Sequence, residues 1–364
     1  MLKSIQFLRG VAVILVLLFH LFSQACLPDK NCPSGDSFFF EGYAGVDIFF
    51  VISGFIMVYI SWTAKPGLIE AAKFFRKRVY RIYPIWWIFA SLMILASYII
   101  YGQFAPPDYA TGTDIFPYLV KSYLLYPQSE FPVLAIGWTL IHEMLFYTLF
   151  SICFIFGRRV LFIFLLIWSL LILGTLALAE PIAHAGNIFE LFLSPLNIEF
   201  ILGCLIGYLY CKNIMRYASV CLIMGTGLFI IAFYIGGYTT GPGFYFTRVV
   251  VYGLPSAMII YGLVNLEKKA GLNIPSPLIH LGNISYSLYL SHMLVILSLR
   301  EIWKMANGVL PNFLQFGQTG PIDELLFILF GLLGSLIFAH LFYIRVEKPL
   351  MQAFKTKRIA KTVA

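Results

Sequence analysis

The chain has 364 residues, 60% of them hydrophobic and only 12% charged, with a formal net charge of +8 and a mean hydropathy of +0.86. A soluble domain carries nearer one quarter charged residues, so a water-facing globule is excluded and the chain needs lipid as solvent, where only helices or closed barrels satisfy the backbone. Positive charge would also suit nucleic acid, but the basic residues sit in short clusters between apolar runs, which is the placement of loops on one face of a membrane.

The apolar runs are long and continuous rather than alternating, so helices are expected over a barrel. The predicted fold class is all-α, a polytopic transmembrane bundle of about ten spans. In chain order they fall near 5–25, 43–62, 82–101, 137–156, 160–179, 193–211, 217–236, 247–266, 283–300 and 323–345. One transmembrane domain is expected over 1–350, followed by a short basic tail at 351–364. Ser23-Gln24-Ala25 faintly resembles a signal cleavage site, but Arg9 and His20 inside the apolar stretch argue for a retained span. The longest connector, 102–136, is expected to hold an interfacial helix around Phe116–Leu125. No internal repeat is visible, which weighs slightly against a carrier built of repeated halves.

With the N-terminus placed in the cytoplasm, 20 of the 25 Lys and Arg residues gather on the cytoplasmic side. The other side has Lys30, Lys121, Arg248, Arg300 and Lys304. This bias predicts that both termini are cytoplasmic. Cys26 and Cys32 then share an extracytoplasmic loop that permits a disulfide. Cys153, Cys204, Cys211 and Cys221 read as packing residues.

An ionisable side chain inside a span is costly and marks a functional position by default. The first span carries Arg9 and His20, separated by about 20° around the helix and about 16 Å along it. The plainer reading has Arg9 snorkelling and His20 bonding a carbonyl. Asp47 opens the second span, where a helix-start carboxylate is favoured by the dipole, and Ser53-Gly54 follows as a close-packing point. Arg78 and Arg81 stand at i and i+3, so both guanidiniums can meet one anion or simply belong to a basic loop. The fourth span holds Trp138, Thr139, His142, Glu143, Phe146 and Tyr147. Glu143 lies near the expected depth of His20 and is a candidate partner for it. Glu199 shares a face with Gly203 and Gly207, and should point into the bundle. Ser285, Tyr289 and His292 form a polar stripe on the ninth span, while His340 reads as structural. The histidines lack the close ligand spacing of a metal site.

Together these segments resemble the membrane-bound acyltransferase family 3, and within it the exopolysaccharide-production O-acetyltransferases. The likeness rests on Leu8-Arg9-Gly10 with His20, the run Gly45 to Phe55, the Arg78/Arg81 pair and Gly137-Trp138-Thr139-Leu140 with Glu143, Phe146 and Tyr147. It continues through Ser194-Pro195 to Gly203, Tyr252-Gly253-Leu254-Pro255, the serine- and tyrosine-rich run to His292, and Glu347-Lys348-Pro349. His142 departs from the pattern. The resemblance implies transfer of an acetyl group from cytosolic acetyl-CoA to a glycan or lipid-linked saccharide hydroxyl, by a multi-pass protein of the bacterial inner membrane. Under it, His20 is the base or the acyl carrier, oriented by Glu143 or Asp47. Arg9, Arg78, Arg81, Ser53 and His292 serve the donor, and Trp138, Tyr147 and Glu199 serve the acceptor. A glycolipid flippase or transporter, or a noncatalytic scaffold, would also use buried polar residues and basic loops.

Overall fold

Residues this apolar satisfy their backbone by local helical bonds wherever proline and glycine allow. The computed structural model describes residues 2–25, 38–106, 114–178, 186–236, 244–311, 315–316 and 321–354, and among them it contains helices and turns only. The helices are α1 (Lys3–Ala25), α2 (Gly45–Ser61), α3 (Leu68–Tyr101), α4 (Ile115–Leu124), α5 (Gly137–Ile155), α6 (Arg158–Leu178) and α7 (Ile188–Leu193). They continue with α8 (Asn197–Cys211), α9 (Ala218–Ile235), α10 (Phe244–Arg248), α11 (Leu254–Ala270), α12 (Ser276–Ala306) and α13 (Pro321–Phe342). A 3₁₀ turn, Phe38–Ala44, leads into α2.

Each of the ten expected segments is helical, and α4 is the expected short helix. Eight helices are long and apolar enough to cross a membrane. The two remaining segments differ for separate reasons. Helix α8 is apolar but has only 15 residues. Helix α12 has 31, but its serines, tyrosines and His292 dilute its hydropathy. Cys26, Cys32 and the tail beyond Phe354 lie outside the described residues; Cys153, Cys204, Cys211 and Cys221 are free thiols.

Two π-helical stretches, Val249–Gly253 and Tyr343–Glu347, each lie two residues ahead of a proline, Pro255 and Pro349. Proline has no N–H for the carbonyl four residues back, so the helix widens there. The N–H of Leu254 reaches Val249 O, and that of Lys348 reaches Tyr343 O.

The bundle is organised by three extensive seams, α2 on α8, α1 on α12 and α9 on α11. At the first, glycines bring backbones into direct contact. A Cβ at Gly54 would overlap the Phe200 carbonyl oxygen, and one at Gly203 would overlap that of Val51. The expected close-packing role of Ser53-Gly54 and Gly203 therefore holds. Gly54→Val should cost about 1–3 kcal/mol through overpacking, read as a lower melting midpoint in detergent; an unchanged midpoint would contradict this packing.

Candidate active site

A cavity of about 750 Å³, its mouth included, opens among α1, α2, α3, α5 and α12. Arg9, Arg78 and Arg81 line it, with Glu143 as the one carboxylate on the wall. Ser53 and Tyr147 also line it, as do Thr139, Ser285 and Tyr289. Arg9 and Arg78 are each only 7% exposed. Arg9 donates to Gln6 Oε1 at 3.2 Å, and Gln6 in turn donates to Asn283 Oδ1 at 2.6 Å. Arg78 sits over the rings of Phe74 and Tyr147, 5.2 and 5.5 Å from their centroids. Its Nε meets no acceptor among the described residues. Glu347, the last residue of the second π stretch, accepts a hydrogen bond from Ser287 and lies near Arg81 and Arg9.

Burying a charge without full pairing costs several kcal/mol. Three guanidiniums around one lining carboxylate, with a buried N–H left over, make a site built for an anion. Glu143 is held by Ser53 Oγ, which donates at 2.9 Å, and by a short bond from the Tyr147 hydroxyl. Both expected arginines of α3 thus face one space.

Two residues of the cavity wall bond each other, Thr139 Oγ1 and the Tyr289 hydroxyl, at 2.9 Å. Beside Tyr289 stands a histidine pair. The Tyr289 ring centroid is 5.8 Å from that of His292, and the His292 and His20 centroids are 5.0 Å apart. His292 Nε2 lies 3.3 Å from His20 Nδ1. His20 Nδ1 is also 2.9 Å from Val16 O, and His292 Nδ1 is 3.1 Å from Leu288 O.

These contacts set the tautomers. A carbonyl oxygen only accepts, so each Nδ1 carries a hydrogen. His292 Nε2 is then a lone pair, which accepts from the His20 Nδ1–H that Val16 O shares. Among the described residues, His20 Nε2 is left as a free lone pair. A proton taken there would give an imidazolium whose other N–H is already held by two acceptors.

The expected carboxylate partner of His20 is therefore replaced by His292. Glu143 turns instead to Ser53, Tyr147 and the arginines. Asp47 is fully buried and pairs with Arg248, whose Nε and Nη2 donate to it at 2.8–3.0 Å. A guanidinium offers a carboxylate two parallel bonds that an imidazole cannot. His292, expected along the donor path, is 0% exposed and lies behind Tyr289 instead of on the cavity wall. His142 is buried between Trp138 and Phe50.

Two residues expected to serve the acceptor lie off the cavity as well. Glu199 is fully buried against Gly253 and the Asp47–Arg248 pair, with no donor to either oxygen among the described residues. The Trp138 ring centroid lies 5.9 Å from the Arg248 guanidinium carbon, and that of Tyr43 lies 4.9 Å from it. Only Tyr147 of the three lines the cavity. Arg248, expected at an outer loop, is 3% exposed inside the bundle. Its signal in sequence was a lone arginine at the head of an apolar span, matched by a lone Asp47 at the head of another.

Fold and site define an all-α, multi-pass membrane protein with a basic cavity beside a histidine pair. The chain belongs to the acyltransferase family whose model, "Acyltransferase domain", matches residues 2–344. That membership makes it an acyltransferase-type enzyme and implies a donor of acyl-CoA type. It is similar to the exopolysaccharide production protein ExoZ of Rhizobium meliloti (strain 1021), with 29% identity over 342 residues, covering 89% of this chain and 94% of the relative. It is also similar to the acyltransferase MdmB of Streptomyces mycarofaciens, with 24% identity over 385 residues, covering 99% and 94%. No solved structure matches the chain.

Proposed function

We propose that the protein is a membrane O-acetyltransferase. It moves an acetyl group from cytosolic acetyl-CoA to a hydroxyl of a cell-surface or exopolysaccharide glycan, or of its lipid-linked precursor. The observation that carries this reading is the cavity lined by Arg9, Arg78 and Arg81 and by Tyr289, which stands against the His20–His292 pair. Family membership supplies the acyl chemistry, and the printed name of the relative ExoZ points to the polysaccharide acceptor.

The bundle crosses the cytoplasmic membrane ten times with both termini inside. The clustering of 20 of 25 basic residues on one side supports that orientation. The arginines then face the cytosol and hold the donor's phosphates, with bidentate geometry suited to them. From Arg9 to His20 is about 16 Å along α1, a span for an extended thioester arm passing Ser53 and Tyr289.

His20 Nε2 takes the proton of the acceptor hydroxyl as its oxygen bonds to the acyl carbon. The carbon–sulfur bond breaks, and His20 returns the proton to the departing sulfur. His292 and Val16 O hold the Nδ1–H throughout. The same lone pair also permits a covalent acyl-histidine route.

The test uses purified protein in nanodiscs with labelled acetyl-CoA and lipid-linked glycans, scoring free CoA and acetylated product. Arg78→Ala with Arg81→Ala should weaken acetyl-CoA binding at least tenfold; an unchanged dissociation constant rejects the arginine assignment. Glycolipid movement across the bilayer with no thiol release would replace the reading with that of a flippase.

A further inference from the structure

The seam between α1 and α12 carries polar layers. Gln6 bonds Asn283 near one end, and His20 meets His292 further along. The next layer beyond the histidines is Gln24 with Arg300, where the guanidinium Nη1 donates to the Gln24 amide oxygen. Gln24 lies one turn past His20 on the same face of α1, about 6 Å along the axis.

That layer walls a second cavity of about 580 Å³, its mouth included, between α3 and α12. Along α12 its lining runs from Leu294 to Arg300, so it starts at the level of His292 and extends about 9 Å away from the arginine cavity. Its walls are of two kinds. Met93, Leu294 and Leu297 present apolar surface. Gln24, Ser97, Ser298 and Arg300 present polar groups. Ser97 is 2% exposed, yet neither its hydroxyl nor that of Ser298 is committed to a partner among the described residues. Arg300 is already met by Glu301, whose Oε1 accepts from Nε at 2.9 Å, so it acts as a hydrogen-bond donor more than as a bare charge.

Uncommitted hydroxyls facing an apolar wall suit a ligand that is itself two-sided, and a pyranose ring has C–H faces and a hydroxyl rim. A lipid chain would leave the hydroxyls of Ser97 and Ser298 without partners.

We propose that this second cavity is the saccharide site of the acceptor, presenting a hydroxyl to the histidine pair from the side opposite the arginines. The proposal rests on the O-acetyltransferase reading for its chemistry, but sugar binding can be measured without that chemistry.

The experiment uses the full chain in nanodiscs with three disaccharide probes: cellobiose, lactose and chitobiose. Equilibrium binding of each is measured, and then CoA release from acetyl-CoA at increasing sugar. Ser298→Leu fills the cavity. It should weaken binding, and raise the sugar KM, at least tenfold, while the acetyl-CoA dissociation constant stays within twofold. Leu294→Phe narrows the cavity from its apolar wall and replaces Ser298→Leu if that variant does not fold. The proposal is overturned if none of the probes binds the wild-type protein saturably, or if sugar binding survives both substitutions. Sugar binding that is lost in Ser298→Leu, with no CoA release by the wild type, would retain the saccharide site and reject acyl transfer.

Discussion

His20→Ala is expected to lower acceptor acetylation by about a hundred- to ten-thousandfold, the range that general acid–base groups supply. Acetyl-CoA binding should be unchanged, because Arg9 lies about 16 Å along α1 from this residue and the other two arginines proposed to receive the phosphates, Arg78 and Arg81, stand on a different helix, α3. The size of the effect follows from the geometry. His20 Nε2 is the lone pair left over once Val16 O and Leu288 O have set the tautomers of both rings. Among the described residues no carboxylate bonds to His20. His292→Ala should produce a smaller loss, since Val16 O still holds the His20 Nδ1–H. Both variants are to be compared at matched protein levels in nanodiscs, with product formation and acetyl-CoA affinity measured separately. Wild-type turnover in His20→Ala would remove His20 from the mechanism.

Arg248→Met should destabilise the bundle by about 3–5 kcal/mol, the usual penalty for removing one partner of a buried ion pair. The reason lies in what remains. Asp47 and Glu199 are both fully buried, and the Arg248 guanidinium is the cation that faces them. Without it, two carboxyls share one dry site, where like charges cannot both be sustained. Adding Asp47→Asn should recover most of the loss, because a buried pair replaced on both sides is often nearly neutral. Thermal unfolding in detergent reads both outcomes. A double variant as unstable as Arg248→Met would show that the loss comes from packing around Tyr43 and Trp138. The arginine cavity is lined by none of these three charged residues, so acetyl-CoA affinity should survive in the rescued protein.

Much of the arginine cavity was legible from local pattern. Arg9 and His20 share a helix face because eleven residues nearly complete three turns. Arg78 and Arg81 face one space because i and i+3 are neighbours on a helix. Gly54 and Gly203 identified a close seam because small residues are what let helices approach. The stripe Ser285, Tyr289 and His292 was correctly placed on one face, but not its consequence. The first two line the cavity, while His292 passes behind Tyr289 to meet His20 across 272 residues of sequence.

Partner choice was the part that local pattern does not encode. Glu143 and Asp47 were both candidates for His20, since each lies on a span at a compatible depth, while His292 was assigned to the donor. The sequence by itself determined an all-α membrane bundle, the helical face of each polar residue and the arginine group, because hydropathy and helical periodicity act over a few turns. Only the tertiary structure decided that Asp47 belongs to Arg248, Glu143 to Ser53 and Tyr147, and His20 to His292. Those pairings depend on how helices distant in sequence are seated and rotated against one another. That seating is set by glycine contacts and proline-induced π turns acting across the whole bundle.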